Sequence, residues 1–294
     1  MGVEEDRIRN LPCWNGAVEI SVLHGGLSNA NYLVQDASGK HVVRFGVDYP
    51  FHHVSREREV MVARAAHAAG FAPEVQYASP GVMVTQFLNA KTFGAADVRA
   101  NAGRIARLLQ SFHVKMAPRI SGPGFIFWAF HVNRDYVATL RTNKSRHIEL
   151  LDTMLRHGAA LEKAQVPLPI VFGHHDLLPA NFLDDGHRLW LIDFEYAGFG
   201  TCMFDLAGAA SNAQMTEEQS AELLETYFGA KPDAALMRCF AAMHCAALQR
   251  ETLWAMASEI FLNAPGADYA AYVADNLALY NQSIDHYQSV YGKI

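Results

Sequence analysis

The residues of this chain best suited to chemistry are Gly173-His174-His175-Asp176-Leu177-Leu178-Pro179-Ala180-Asn181, followed twelve positions after the asparagine by Asp193 in Leu191-Ile192-Asp193-Phe194-Glu195-Tyr196. Moving a phosphoryl group from a nucleotide to an alcohol needs a carboxylate beside the hydroxyl, and oxygen ligands that hold Mg²⁺ on the phosphates. Asp176 answers the first need, with His174 in the same constellation, and Asn181 and Asp193 answer the second. The alternative is that Asp176 and Asn181 only bond to turn backbone and Asp193 caps a strand end. Three oxygen ligands and a histidine falling together by chance is the less economical explanation. Glu195 lies two positions after Asp193, and on an extended segment that puts both carboxylates on one side. Glu195 is therefore a candidate for a second Mg²⁺ or for an ion pair.

Between Asn181 and Asp193 the sequence reads Phe182-Leu183, the turn formers Asp184-Asp185-Gly186, then Leu189-Trp190-Leu191-Ile192. Apolar runs around such a turn predict a short hairpin, which would fold Asn181 back beside Asp193. Upstream, residues 18–47 alternate strand-like runs with turn formers at His24-Gly25-Gly26-Leu27-Ser28-Asn29 and Asp36-Ala37-Ser38-Gly39, which predicts an antiparallel meander. A helix over about residues 55–69 follows, ended by Gly70, and then two more strands around residues 75–77 and 82–87. From about Asp97 the spacing becomes helical, as in Ile105, Leu108, Leu109 and Phe112. The chain thus reads as α+β, with a small antiparallel β-rich N-terminal lobe over residues 1–88 and a larger, mainly helical C-terminal lobe over residues 89–294.

With 294 residues, 51% of them hydrophobic, the chain can bury a large core and is not a disordered segment. A formal charge of −6 and no Lys or Arg run give no footprint for nucleic acid, and the acidic balance suits a cationic substrate. Cys13, Cys202, Cys239 and Cys245 lack the spacing of a zinc site and read as reduced thiols. None of the fourteen histidines forms a His-x-x-x-His pair with a nearby glutamate. The acidic start and the lack of a bilayer-length apolar run predict a cytoplasmic protein without stable membrane insertion.

The meander offers the rest of a nucleotide site. Gly25 and Gly26 permit close backbone approach to a phosphate, and Ser28 and Asn29 offer donors; no Gly-Lys-Ser/Thr follows, so a phosphate-covering hairpin fits better than a Walker A loop. Arg44, on the third strand, is the cation placed to reach phosphates. Glu57 and Glu59 are candidates to aim it; Glu59 shares its helix face with Val62, Ala63 and Ala66 and is the better one. Asp205 opens a helix-like stretch and reads as an N-cap. In the late helix Glu251 and Trp254 stand three apart, able to present a carboxylate and an indole to one cationic ligand. Tyr269, Tyr272, Tyr280 and Tyr287 read mostly as core.

These residues resemble the choline/ethanolamine kinase family, relatives of the aminoglycoside phosphotransferases with a two-lobed protein-kinase-like fold. The resemblance runs over nearly the whole chain: Leu11-Pro12-Cys13-Trp14, Gly25 to Asn29, Val42-Val43-Arg44, Arg56 with Glu59, Ala72-Pro73-Glu74-Val75, His174 to Asn181, Ile192 to Tyr196, and Leu253-Trp254. It implies ATP and Mg²⁺ as cofactors, Asp176 as base, Asn181 and Asp193 on the metal, Arg44 and Glu59 positioning phosphates, and adenine held by backbone near Gln86 and Leu88. The implied acceptor is an amino alcohol such as choline or ethanolamine. The chain departs from the family pattern at Asn212, where a glutamate commonly helps surround the ammonium head, and at Glu251, where animal members carry a second tryptophan. An aminoglycoside, a sugar or homoserine is the alternative acceptor, and a nucleotide-binding pseudokinase is the alternative of another class.

Overall fold

Period-two patterning in the first ninety residues and helical spacing after them produce an α+β chain. The computed structural model describes residues 3–23, 30–122, 124–264 and 266–294; Gly25, Gly26, Ser28 and Asn29 lie outside the described residues. In chain order the elements begin with α1 (Val3–Arg9), β1 (Glu19–Leu23), β2 (Ala30–Asp36), β3 (Gly39–Phe45), α2 (Arg56–Ala68), β4 (Val75–Ser79), β5 (Val82–Gln86) and β6 (Lys91–Thr92). They continue with α3 (Ala95–Ala100), α4 (Ala102–Met116), α5 (Ala129–Thr142), α6 (Ile148–Glu162), β7 (Ile170–Gly173), β8 (Phe182–Asp184), β9 (Leu189–Leu191) and β10 (Gly198–Thr201). The last are α7 (Cys202–Ala213), α8 (Glu217–Phe228), α9 (Ala234–Phe261) and α10 (Tyr269–Tyr291).

By backbone contacts the chain divides into two compact units, residues 1–91 with 183–195, and residues 92–182 with 196–294. The first unit is built on a five-stranded sheet in the order β1-β2-β3-β5-β4, antiparallel throughout. Tyr32 and Val34 of β2, Val43 and Phe45 of β3 and Val82 and Val84 of β5 bury one set of alternating side chains with Ile8 of α1. Each such side chain contributes about 1.5–3 kcal/mol by leaving water. Alternation then fixes Arg44, between Val43 and Phe45, on the opposite face of the sheet. α2 starts at Ser55, whose side chain accepts from the Arg58 amide, and it buries Glu59, Val62, Ala63 and Ala66. The expected hairpin is present as β8 and β9: Asp184 accepts from the Gly186 amide, and Asp185 accepts from the His187 and Arg188 amides and from the Trp190 indole.

The second unit is mainly helical. In α9 the residues from Leu248 to Ser258 are buried around the whole circumference, as in a helix packed on all sides. α10, α7 and α5 pack on it. A two-stranded antiparallel ladder, β7 with β10, carries the backbone into the loop that starts at His174. Gly173, at the end of β7, has no room for a side chain, because a Cβ there would collide with the His175 imidazole and press on Asp205 Oδ2 at 3.0 Å. Among the described residues no helix is long and apolar enough to cross a membrane, and all four cysteines are free thiols.

Candidate active site

The first unit gathers charge around Arg44. Its Nη1 donates to Asp193 Oδ1 and its Nη2 to Glu195 Oε2, both at 2.8 Å. Nη1 also lies 2.8 Å from Glu59 Oε1, as an ion pair without a directed hydrogen bond. Arg56 joins the other side of the cluster, with Nη1 at 2.6 Å from Glu59 Oε2 and 2.8 Å from Glu195 Oε2, and Arg58 donates to the Glu195 carbonyl at 3.1 Å. The helix-face argument for Glu59 over Glu57 agrees with this geometry. Asp193 and Glu195 do fall on one side, where a single guanidinium bridges them.

Glu59, Asp193 and Glu195 set three carboxylates against the two guanidiniums of Arg44 and Arg56 in a largely buried cluster. Burial, with Asp193 close by, pushes the Glu195 carboxyl above the usual carboxylate range despite the two arginines. Among these five side chains the carboxylates outnumber the guanidiniums by one, with Arg58 adjoining through the Glu195 carbonyl. Asp193 Oδ1 is taken by Arg44, whereas its Oδ2 takes no hydrogen bond among the described residues, and the side chain is 26% exposed. A carboxylate oxygen in that state fits the hard-oxygen requirement of Mg²⁺. The Glu195 Oε2 oxygen is occupied by both arginines, so Glu195 holds the cations in place. Asp193 adopts φ = 67°, a left-handed conformation uncommon outside glycine that accompanies tightly specified sites. Gln86 closes β5 with its amide given to the Glu74 carbonyl, and Leu88 follows, half-buried.

The second unit carries the loop. Asp205 is buried and accepts from the His174 amide through Oδ2 at 2.8 Å and from the His175 amide through Oδ1 at 2.7 Å. His113 Nε2 lies 2.8 Å from Asp205 Oδ2, and His113 Nδ1 lies 2.7 Å from the Tyr227 hydroxyl. Although burial works against its charge, these donors hold the Asp205 carboxyl well below the usual carboxylate range. The N-cap of α7 is Thr201, so Asp205 does not cap the helix; it lies inside the first turn with its side chain turned to the loop amides. His175 has φ = 62°, stacks on Phe127 with ring centroids 4.5 Å apart, and is pushed down to about 4 by burial. The Asp176 amide donates to His174 Nδ1 at 3.3 Å, which gives His174 an anchoring contact to the backbone. Asn181 Nδ2 donates to the Asp176 carbonyl at 2.8 Å and lies 3.4 Å from Asp176 Oδ2, leaving the amide oxygen turned away from Asp176.

A pocket in the second unit is lined by Asp176, Ser211, Asn212, Ala247, Arg250 and Glu251, among others. Asn212 and Glu251 thus stand with the candidate base. Trp254 is buried, donates its indole N–H to the Tyr196 hydroxyl at 2.9 Å and packs edge-on against Tyr269 and Tyr272. Tyr272 is more than core: its hydroxyl donates to Glu251 Oε1 at 2.7 Å. Sequence reasoning missed Asp205 as the anchor of the loop, His113 as its partner, and Arg250 altogether. The available signal for Arg250 was an Arg-Glu pair inside an otherwise apolar helix stretch.

Comparison with known proteins agrees with this architecture. The model of the phosphotransferase enzyme family matches residues 19–240. The chain is 30% identical over 165 residues to a probable ethanolamine kinase of Arabidopsis thaliana, an alignment covering 52% of this chain and 44% of that protein. It is 28% identical over 213 residues to Protein LicA of Haemophilus influenzae, covering 69% of this chain and 61% of the other. The chain therefore spans less than two thirds of the length of either relative. Among solved structures, a choline/ethanolamine kinase family protein from Mesorhizobium loti superposes with a TM-score of 0.76 at 26% identity, covering 96% of this chain and 94% of that one. The fold is of the protein-kinase-like type. The chain belongs to the phosphotransferase enzyme family.

Proposed function

We propose that the protein is a Mg²⁺–ATP-dependent kinase that phosphorylates the hydroxyl of a small amino alcohol of the ethanolamine or choline kind. The observation that carries the reading is the Asp176 loop. A half-buried carboxylate lines a pocket, and its backbone is anchored through Asp205 and Asn181. In this reading the acceptor oxygen bonds to the γ-phosphorus as the bond from that phosphorus to the β–γ bridging oxygen breaks. The hydroxyl proton passes to Asp176, and ADP leaves.

Asp193, whose Oδ2 takes no hydrogen bond among the described residues, and Asn181, through its amide oxygen, are the residues that would hold Mg²⁺, which when bound would neutralise charge on the phosphates. Arg44 is the cation for the phosphates, with Glu59 and Glu195 fixing its fork. Backbone near Gln86 and Leu88 holds the adenine, and residues 1–88 and 89–294 serve as nucleotide-binding and catalytic lobes. Four free thiols are in keeping with a reducing, cytoplasmic setting.

The test is a panel of alcohols supplied with Mg²⁺–ATP, with ADP and phosphomonoester both measured. The expected result is equal amounts of ADP and the phosphomonoester of an amino alcohol. Turnover confined to a sugar or aminoglycoside would move the acceptor class, and tight ATP binding with no phosphomonoester from any alcohol would make the protein a pseudokinase.

A further inference from the structure

Arg44 is held by three carboxylates, and they are not equivalent. Its Nη1 donates to Asp193 Oδ1 and lies beside Glu59 Oε1, and its Nη2 donates to Glu195 Oε2, all at 2.8 Å. Both terminal nitrogens of the fork are thus committed within the first unit, and Arg44 can grip a phosphate only by giving up a carboxylate. The Glu59 and Glu195 side chains are 2% and 7% exposed, and each also pairs with Arg56, at 2.6 and 2.8 Å. The Asp193 side chain is 26% exposed, and among the described residues Arg44 is its only ion-pair partner.

Arg56 is in turn fixed from outside the cluster. Its Nε donates to the Val47 carbonyl at 2.9 Å and its backbone amide to Asp48 Oδ1 at 2.7 Å, which ties it to the segment between β3 and α2. With Arg56 in place, Glu59 and Glu195 keep a cation when Arg44 moves, whereas a buried carboxylate stripped of its last cation is strongly destabilising. The contact that Arg44 can break without leaving such a group is the one to Asp193, provided that another cation takes its place there. Asp193 Oδ2 takes no hydrogen bond among the described residues, so a divalent cation can reach the same carboxylate by its other oxygen. Two cations on one carboxylate then repel each other.

Building on the reading of Asp193 as a metal ligand, we infer that Arg44 is an internal stand-in for the metal. In the free protein its guanidinium neutralises Asp193. When a divalent cation binds, Arg44 leaves that carboxylate, alone of its three, and turns the released N–H groups to a phosphate. Arg56 is the resident cation that keeps Glu59 and Glu195 paired through the exchange. Metal and phosphate are then coupled through one side chain, over and above their direct contact with each other, because each favours the same change of partner by Arg44.

Binding to the full chain tests this without turnover. Mn²⁺ is titrated alone by electron paramagnetic resonance, and ADP calorimetrically in EDTA and in saturating Mn²⁺, for the wild type, Arg44→Gln and Arg56→Gln. Arg44→Gln should bind Mn²⁺ alone about tenfold more tightly than the wild type, and Arg56→Gln, which removes the same charge without touching Asp193, should stay within about threefold of it. The factor by which Mn²⁺ tightens ADP should be about tenfold larger in the wild type than in Arg44→Gln. No gain in Mn²⁺ affinity in Arg44→Gln, an equal gain in both variants, or an ADP factor no larger in the wild type overturns the inference. A crystal structure of the wild type with Mn²⁺ and ADP needs no variant: Arg44 should be off Asp193 and bonded to a phosphate oxygen, with Arg56 still on Glu59 and Glu195. Arg44 still bonded to Asp193 beside a bound metal overturns it. The two readings fail separately. The expected coupling with no phosphomonoester from any alcohol removes the kinase and leaves the exchange. Phosphomonoester formed by a wild type whose ADP factor matches that of Arg44→Gln does the reverse.

Discussion

The two units solve the burial of charge in opposite ways. Around Arg44, carboxylates and guanidiniums neutralise one another by ion pairing, with Arg44, Arg56, Glu59 and Glu195 each serving more than one partner. Around Asp205 a single buried carboxylate is neutralised by two backbone amides and an imidazole. The first arrangement can exchange partners when a cation or a phosphate arrives, because its members are long side chains with shared bonds. The second is less free to do so, because two of its three donors are loop backbone and the third, His113, is a buried ring. A cluster of shared ion pairs suits the proposed nucleotide and metal, and an anchored loop suits the proposed base, which must meet a hydroxyl within hydrogen-bond reach.

Asp205→Ala is the sharpest way to break that contrast. It leaves two buried loop amides and a histidine without their acceptor and should lower stability by about 3–5 kcal/mol, read as a large drop in melting temperature. A fall of only a degree or two would mean that the loop is held by other contacts. Asp193→Asn should keep the fold and cost about a hundredfold in kcat, a deficit that raised Mg²⁺ partly restores. An unchanged metal dependence would take Asp193 out of the metal site. Arg44→Lys should cost about tenfold in kcat/KM for the nucleotide, since an ammonium cannot hold Asp193 and Glu195 in one plane.

The smallest effect is on acid stability. His175 is pushed down to about 4 by burial, so it stays neutral in the folded protein while an unfolded histidine takes up a proton near 6.5. The unfolded state then binds more protons, and stability should fall as pH drops from about 6.5 toward 4, with no contribution from His175 above that window. Asp205, held below its ordinary range, loses its contribution only at lower pH, once its carboxylate protonates. Melting temperatures measured from pH 7 to pH 4 check the sign, and a flat or rising curve on acidification would contradict the neutral buried imidazole.

Much of the first unit was legible in sequence because its determinants are local. The strand and turn pattern put Arg44 on the third strand, helix geometry chose Glu59 over Glu57, and Asp184-Asp185-Gly186 announced its turn. The short α1 and the β7–β10 ladder were not anticipated, since neither has a turn signal of its own. The second unit hid what depends on distant pairs. His113 and Asp205 meet across 92 positions, and no local pattern marks either one. Asp205 has the residue type and helix position that suggest a cap, and only the location of Thr201 as the N-cap shows that its side chain is free to serve the loop. Trp254 and Glu251 were legible as neighbours on one helix face, but Tyr196 and Tyr272, which bond to those two side chains, come from a separate turn and a separate helix.

If Asp176 takes the proton of an alcohol during phosphoryl transfer, rapid-quench comparison of the wild-type protein with Asp176→Asn will show it. With nucleotide affinity measured in parallel, the variant should bind Mg²⁺–ATP as the wild type does and form phosphomonoester about 10²–10⁴ times more slowly. Equal rates of phosphomonoester formation in the two proteins would contradict it.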